Sequence, residues 1–189
     1  MWPWEHVAVG YIAYSLLSRT VVARRPGVPE LFAVLLGSLG PDLIDKPLAW
    51  GLGVLPGGYS LGHSVFFAVP LALAAVGVAA LAGRGSTGVA FGLSYLLHLP
   101  ADVYYFVVFG DPPAYGILFW PLVPAAGGSI RGDLLSEALR YFTTFLADVT
   151  TPEAVPFLVG EALLLATAAF LLWRDTAARR RGRPEATTR

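Results

Sequence analysis

The sequence predicts an all-α membrane protein, a polytopic transmembrane helical bundle of four to five spans with one amphipathic interfacial helix. Three observations lead there. Of the 189 residues, 56% are hydrophobic and only 14% charged, against about 45–50% and about 25% in soluble domains. Mean hydropathy is +0.63, and a soluble domain of about 150 residues buries only about 68–70% of its unfolded surface, too little to hide so much apolar side chain. Long apolar segments alternate with Gly/Pro turns. In lipid that pattern leaves a helical bundle, because a closed barrel needs alternating strands of about ten residues.

Each element follows from the chain in order. Trp2 and Trp4 open the first apolar segment, residues 4–18, as interfacial anchors. Arg19, Arg24 and Arg25 come after it, the reverse of a signal peptide's order. The second segment, 30–45, begins after the breaker Pro26-Gly27-Val28-Pro29. Within it Pro41 suits the first turn of a helix, which would make Asp42 and Asp45 first-turn residues. Residues 46–62 carry seven Gly or Pro and read as a loop. The third segment, 63–83, has no charge after His63 and is the clearest span, and Arg84-Gly85-Ser86-Thr87-Gly88 is a basic turn. The fourth, 89–109, contains His98, Pro100 and Asp102. A short apolar stretch at 115–123 is too brief to cross a bilayer. Residues 134–149 read as an amphipathic interfacial helix with Asp133 near its start. The last span, 156–173, ends in Arg174 and the run Arg179-Arg180-Arg181-Gly182-Arg183. The organisation is one domain, 1–175, with a basic, disordered cytoplasmic tail, 176–189.

Charge and composition exclude several functions. Thirteen basic and thirteen acidic residues give no net charge, so no nucleic-acid partner is expected. The absence of cysteine removes disulfides, thiolate metal sites and cysteine nucleophiles. No G-x-x-x-x-G-K-[ST] or strand-borne G-x-G-x-x-G motif points to a nucleotide. With alternating spans, ten of the thirteen basic residues fall on one side and only Lys46, Arg131 and Arg140 on the other. That bias puts the C-terminus in the cytoplasm of a multi-pass protein of the plasma membrane, and the terminal arginines read as a topology signal touching anionic lipid.

The polar residues inside the apolar segments need a cause. His98 and Asp102 are four apart and share a helical face. Alone they are equally a metal or catalytic pair and a helix-holding hydrogen bond. Asp42 alone is more simply a helix cap, and Asp45 a partner of Lys46 or solvent. His63 alone is an interfacial residue at a helix start, and His6 weaker still. Together, however, His6, Asp42, Asp45, His63 and Asp102 fall toward one, outer, leaflet, with His98 about 6 Å deeper. Histidine and carboxylate without cysteine form a ligand set for zinc, with manganese and iron as alternatives, and favour a catalytic over a structural site.

In order, the chain has His6, Gly37-Ser38-Leu39-Gly40-Pro41-Asp42-Leu43-Ile44-Asp45, His63-Ser64, His98/Asp102 and Gly116 to Trp120-Pro121. Over residues 5–123 this resembles the YdjM-type (DUF457) family of inner-membrane, metal-dependent hydrolases, in an archaeal-like branch. Motif order is also distantly similar to zinc-dependent phospholipase C-like proteins. The chain departs from many bacterial members at Gly57-Gly58-Tyr59-Ser60, where those carry a His-Arg pair, and in a longer 106–115 stretch. The resemblance implies a metal-dependent hydrolase of a phosphoester or lipid-like small molecule at the outer leaflet. His6, Asp42, His63, His98 and Asp102 would be the metal ligands, zinc the first choice of divalent ion, and Asp45 either a partner of a ligand or the general base. Lys46 or Arg131 would offset phosphate charge or serve as plain outer-loop cations. Two other functions remain open. One is a non-catalytic membrane scaffold with structural buried polar residues. The other is an ion or proton transporter, against which stand the absence of a repeat and a cytoplasmic half with almost no polar groups beyond the loops.

Overall fold

The computed structural model describes residues 1–108, 111–125 and 132–181, with side chains through residue 177. Among these every regular element is helical: α1 (Pro3–Thr20), α2 (Val28–Lys46), α3 (Val65–Leu81), α4 (Gly85–Val108), α5 (Leu134–Val149) and α6 (Val155–Arg181). Sequence signals explain the starts. Pro3 occupies the first turn of α1, while the Glu5 carboxylate accepts the Trp2 amide at 2.5 Å. Ser64 caps α3 by accepting from the Phe66 amide. Asp133 caps α5 by accepting from the Ser136 amide at 2.8 Å, a bond that holds its carboxyl below the usual range.

Two prolines behave differently from a helix breaker. Pro41 does not open a helix: it lies inside α2, so Asp42 and Asp45 sit in the last turns of that helix, not in a first turn. Proline removes one backbone hydrogen bond. The turns beyond it are held by other contacts, since Lys46 Nζ donates to Asp42 Oδ2 at 2.5 Å and Asp45 accepts amides from the following loop. Pro100 likewise lies within α4, which continues past it.

The centre of the bundle is α1, α2 and α4, with α3 against α4 and α6 along α1. Small residues let the three backbones close. A Cβ on Gly37 would run into the Phe91 carbonyl oxygen, and one on Gly10 into the Ser38 and Ser94 hydroxyls. Tyr11, Tyr14, Val34 and Ala90 form one buried cluster, and Ala68, Tyr95 and Leu99 another.

Two stretches among the described residues, Gly85–Val108 and Pro152–Ala177, are long and apolar enough to cross a membrane, and Val65–Leu81 is apolar but shorter. Helices α1 and α2 have the length but carry Glu5, His6 and Arg19, and Glu30, Asp42, Asp45 and Lys46. Helix α6 leaves Leu158, Val159, Leu163, Phe170 and Trp173 exposed. It runs on to Arg181, into the stretch read from sequence as tail, whereas residues 182–189 lie outside the described set.

The ends of α1 and α6 meet the starts of α2 and α4 in a second polar region. Asp175, fully buried, accepts from Tyr11 Oη at 2.6 Å, Ser15 Oγ at 3.0 Å and Arg19 at 2.6 Å. Glu30 accepts from Arg24 at 2.5 Å and Ser86 Oγ at 2.9 Å. The expectation of a nearly apolar half at this end is therefore corrected. Its charges are paired where helix termini converge, which sequence spacing does not display.

Candidate metal centre

The opposite end of the bundle gathers the awkward residues. Asp42 comes from the end of α2, His63 from the loop just before α3, and His98 and Asp102 from successive turns of α4. All four are buried, with 7% exposure the largest value. His98 Nε2 lies 3.1 Å from Asp102 Oδ2 and 3.1 Å from His63 Nε2, and His63 Nε2 lies 3.2 Å from Asp102 Oδ2. Asp42 Oδ1 stands slightly back, 3.7 Å from His63 Nε2 and 3.9 Å from His98 Nε2. One ligand atom from each residue falls within 4.8 Å of every other, so the group could hold a metal ion.

The outer hydrogen bonds fix what those ring nitrogens offer. His98 Nδ1 is 2.7 Å from the Ser38 carbonyl oxygen, which only accepts, so Nδ1 carries the hydrogen and the neutral ring turns a lone pair inward at Nε2. His63 Nδ1 is 2.8 Å from Asp45 Oδ2, with the same consequence. Two lone pairs 3.1 Å apart, facing two carboxylate oxygens, repel unless positive charge sits among them. A shared proton or a divalent cation supplies that charge. The spacings, 3.1–3.9 Å, bracket the roughly 3.3–3.6 Å that separates zinc ligands held at about 2.0–2.2 Å in a tetrahedron, so small side-chain shifts would admit the cation. Asp42 Oδ1 has no hydrogen-bond partner within the protein, as expected of an acceptor reserved for a ligand.

His6 joins the neighbourhood without joining the four. Its ring stacks on His98 with centroids 3.6 Å apart, and its Nε2 lies 3.1 Å from the other Asp102 oxygen, Oδ1. Neither ring nitrogen is aligned for a hydrogen bond. The Met1 amino nitrogen is 2.5 Å from the same Oδ1. Asp45 points away from the four: its oxygens accept the amides of Ser60 (2.7 Å), Gly62 (2.7 Å) and His63 (3.3 Å) as well as His63 Nδ1. Fully buried and holding four donors, Asp45 orients the His63 ring from its outer side.

Sequence reasoning missed two participants, the Ser38 carbonyl and Tyr59, and paired a third, Lys46, with Asp45 instead of Asp42. Lys46 is no plain loop cation but an ion-pair partner of Asp42, a relation its four-residue spacing already displays. The Ser38 carbonyl that fixes His98 leaves no sequence signal. Tyr59, in the stretch that departs from bacterial members, packs edge-on against His63 at 4.8 Å. Arg131 lies outside the described residues.

An all-helical, apolar bundle with a buried His/Asp cluster at one end defines a class, a membrane-type helical protein with a possible metal centre. The chain belongs to the YdjM inner membrane protein family, whose model matches residues 1–178. No curated protein and no solved structure matches it.

Proposed function

We propose that this protein is a membrane-embedded, metal-dependent hydrolase of a phosphoester or lipid-like substrate, with four to five spans, a cytoplasmic C-terminus and the site toward the outer leaflet. The observation that carries the reading is the pair of inward lone pairs on His63 and His98, locked by Asp45 and the Ser38 carbonyl and met by two carboxylates. The near-equal 3.1–3.2 Å spacings of His63, His98 and Asp102 make these three the primary holders of the ion. Three protein ligands with a further position open is the arrangement of catalytic zinc sites. A divalent ion held there supplies Lewis acidity and brings the pKa of a coordinated water toward about 7.

The protein's own groups do the rest. Asp42, with its Oδ1 unpartnered 3.7 Å from His63 Nε2, would take the proton of the attacking water. The water oxygen bonds to phosphorus, the phosphorus–oxygen bond to the alcohol breaks, and Asp42 returns the proton to the leaving oxygen. Lys46, already on the other Asp42 oxygen, offsets phosphate charge. His6 packs on the His98 ring and keeps its plane fixed.

Elemental analysis of detergent-purified wild type, His98→Ala and Asp42→Asn tests this, followed by turnover of soluble phosphoesters. Wild type should hold near-stoichiometric zinc, manganese or iron, and His98→Ala should lose it. Asp42→Asn should retain most of the metal yet lose at least about 100-fold in kcat, the scale of a general base. A metal-free wild type would overturn the reading in favour of a proton-sharing scaffold.

A further inference from the structure

A cavity of about 580 Å³ opens beside the metal centre, between α5 and the ends of α1, α2 and α4. Its wall is aromatic: Trp2, Trp50, Tyr59, Tyr105, Phe106 and Tyr141. Trp50 stacks on Tyr141 at 5.3 Å, and Trp2 meets Phe145 at 4.7 Å, so α5 is docked as the outer wall. The volume lies in the ordinary range for small-molecule sites, about 300–1,000 Å³.

Charge gives the cavity a direction. Lys46 lines it and is bonded to Asp42, and Tyr59 lines it and packs on His63, so this end adjoins the metal centre. Lys46 is the cavity's one cationic side chain among the described lining residues, and its two carboxylates, Asp111 and Asp148, come from the loop after α4 and the last turn of α5. The Asp111 amide donates to the Phe106 carbonyl, and Asp148 also borders a neighbouring recess with Val108 and Phe157. An anionic head is drawn to Lys46, while a chain leading away from it meets ring faces.

We infer that this cavity is the tail site of the substrate, a single-chain amphiphile whose phosphate-ester head sits at Lys46 and the His/Asp cluster and whose hydrocarbon chain lies between α5 and the bundle. The inference rests on the hydrolase reading for its head group and on the cavity alone for its tail. Helix α5 then has two apolar faces with different duties. Tyr141 and Phe145 line the cavity, while Leu135, Leu139 and Leu146 are exposed on the outside.

The test uses full-length protein in nanodiscs and n-alkyl phosphonates of four, eight and twelve carbons, which keep the anionic head and cannot be hydrolysed. Binding is read by quenching of tryptophan fluorescence with the bromine-tipped analogues. Each seated methylene should tighten binding by up to about fourfold, the equivalent of about 0.8 kcal/mol. Ala138→Phe, which fills the cavity without adding a fluorophore, should abolish the chain-length dependence and leave the four-carbon probe bound. Thr144→Phe narrows the same space if the first variant does not fold. Leu139→Phe, on the outward face, adds no fluorophore and should keep wild-type dependence, which separates the cavity from simple partition into lipid. Equal affinity for all chain lengths, or dependence that survives both filling variants, overturns the inference. Chain-length dependence in a protein that holds no metal would sustain the tail site and sink the hydrolase reading instead.

Discussion

Replacing Asp45 by asparagine isolates the contribution of a residue bonded to the outer nitrogen of the His63 ring. Asp45 Oδ2 receives Ser60 N, His63 N and His63 Nδ1, and Oδ1 receives Gly62 N. Asparagine has a single carbonyl oxygen, and its amide nitrogen must face one of these donors. The least costly rotamer puts the oxygen at the Oδ2 position and orphans Gly62 N–H, a buried donor whose loss costs about 1–3 kcal/mol. His63 then donates to a neutral oxygen, its ring is less electron-rich, and metal affinity should fall about 10–100-fold, as it does when such outer partners are removed. The two effects have separate readouts. Thermal unfolding of the apo protein reports the first, and competition with a chelating dye reports the second, with the ion still binding at saturation. A metal Kd within twofold of wild type would refute the claim that Asp45 acts on the ion through His63. A total loss of binding at saturating metal would mean that Asp45 is a ligand itself.

Other perturbations follow from the packing. Asp175→Ala removes the acceptor of Tyr11, Ser15 and Arg19, and breaking such a buried pair should cost about 3 kcal/mol; unchanged protease resistance of α6 would contradict its anchoring role. Gly37→Ala pushes a methyl against the Phe91 carbonyl and should destabilise by about 1–3 kcal/mol while weakening metal binding, since the Ser38 carbonyl that orients His98 rides on the helix forced away. Gly77→Ala, where a Cβ meets nothing within 4 Å, should instead be neutral or stabilising by up to about 1 kcal/mol. Opposite signs for these two alanines in one melting experiment check the close α2–α4 approach.

The helices were legible because length and apolarity decide them, and each long apolar segment became one. Their polar ends were harder. Pro41 looked like a start because proline favours a first turn, but the contacts of Asp42 and Asp45 carry α2 past it. The constellation itself was readable from four residues at three chain positions, Asp42, His63 and His98/Asp102, because alternating segment directions bring them to one end. His6 was expected in the same set, and the structure puts it on the far oxygen of Asp102, a distinction of about one carboxylate width that spacing cannot resolve. The cavity was not legible at all. It depends on where α5 docks, and an amphipathic pattern names a helix's two faces without saying what each one meets.

Helix α6 is fastened to α1 at two places: Trp4 Nε1 donates to Glu161 at 2.6 Å, and Asp175 takes Tyr11, Ser15 and Arg19. The two acidic residues are fourteen positions apart, close to four whole turns and about 21 Å of rise, so they present to the same side. Between them the surface is apolar, and in lipid it gains little from meeting α1 in place of an acyl chain. The polar fastenings therefore act as a vernier. Slipping α6 by one turn, about 5.4 Å, would disengage both at once. What they give the molecule is less a strong bond than a single permitted alignment, chosen at the two ends of a helix that could otherwise slide.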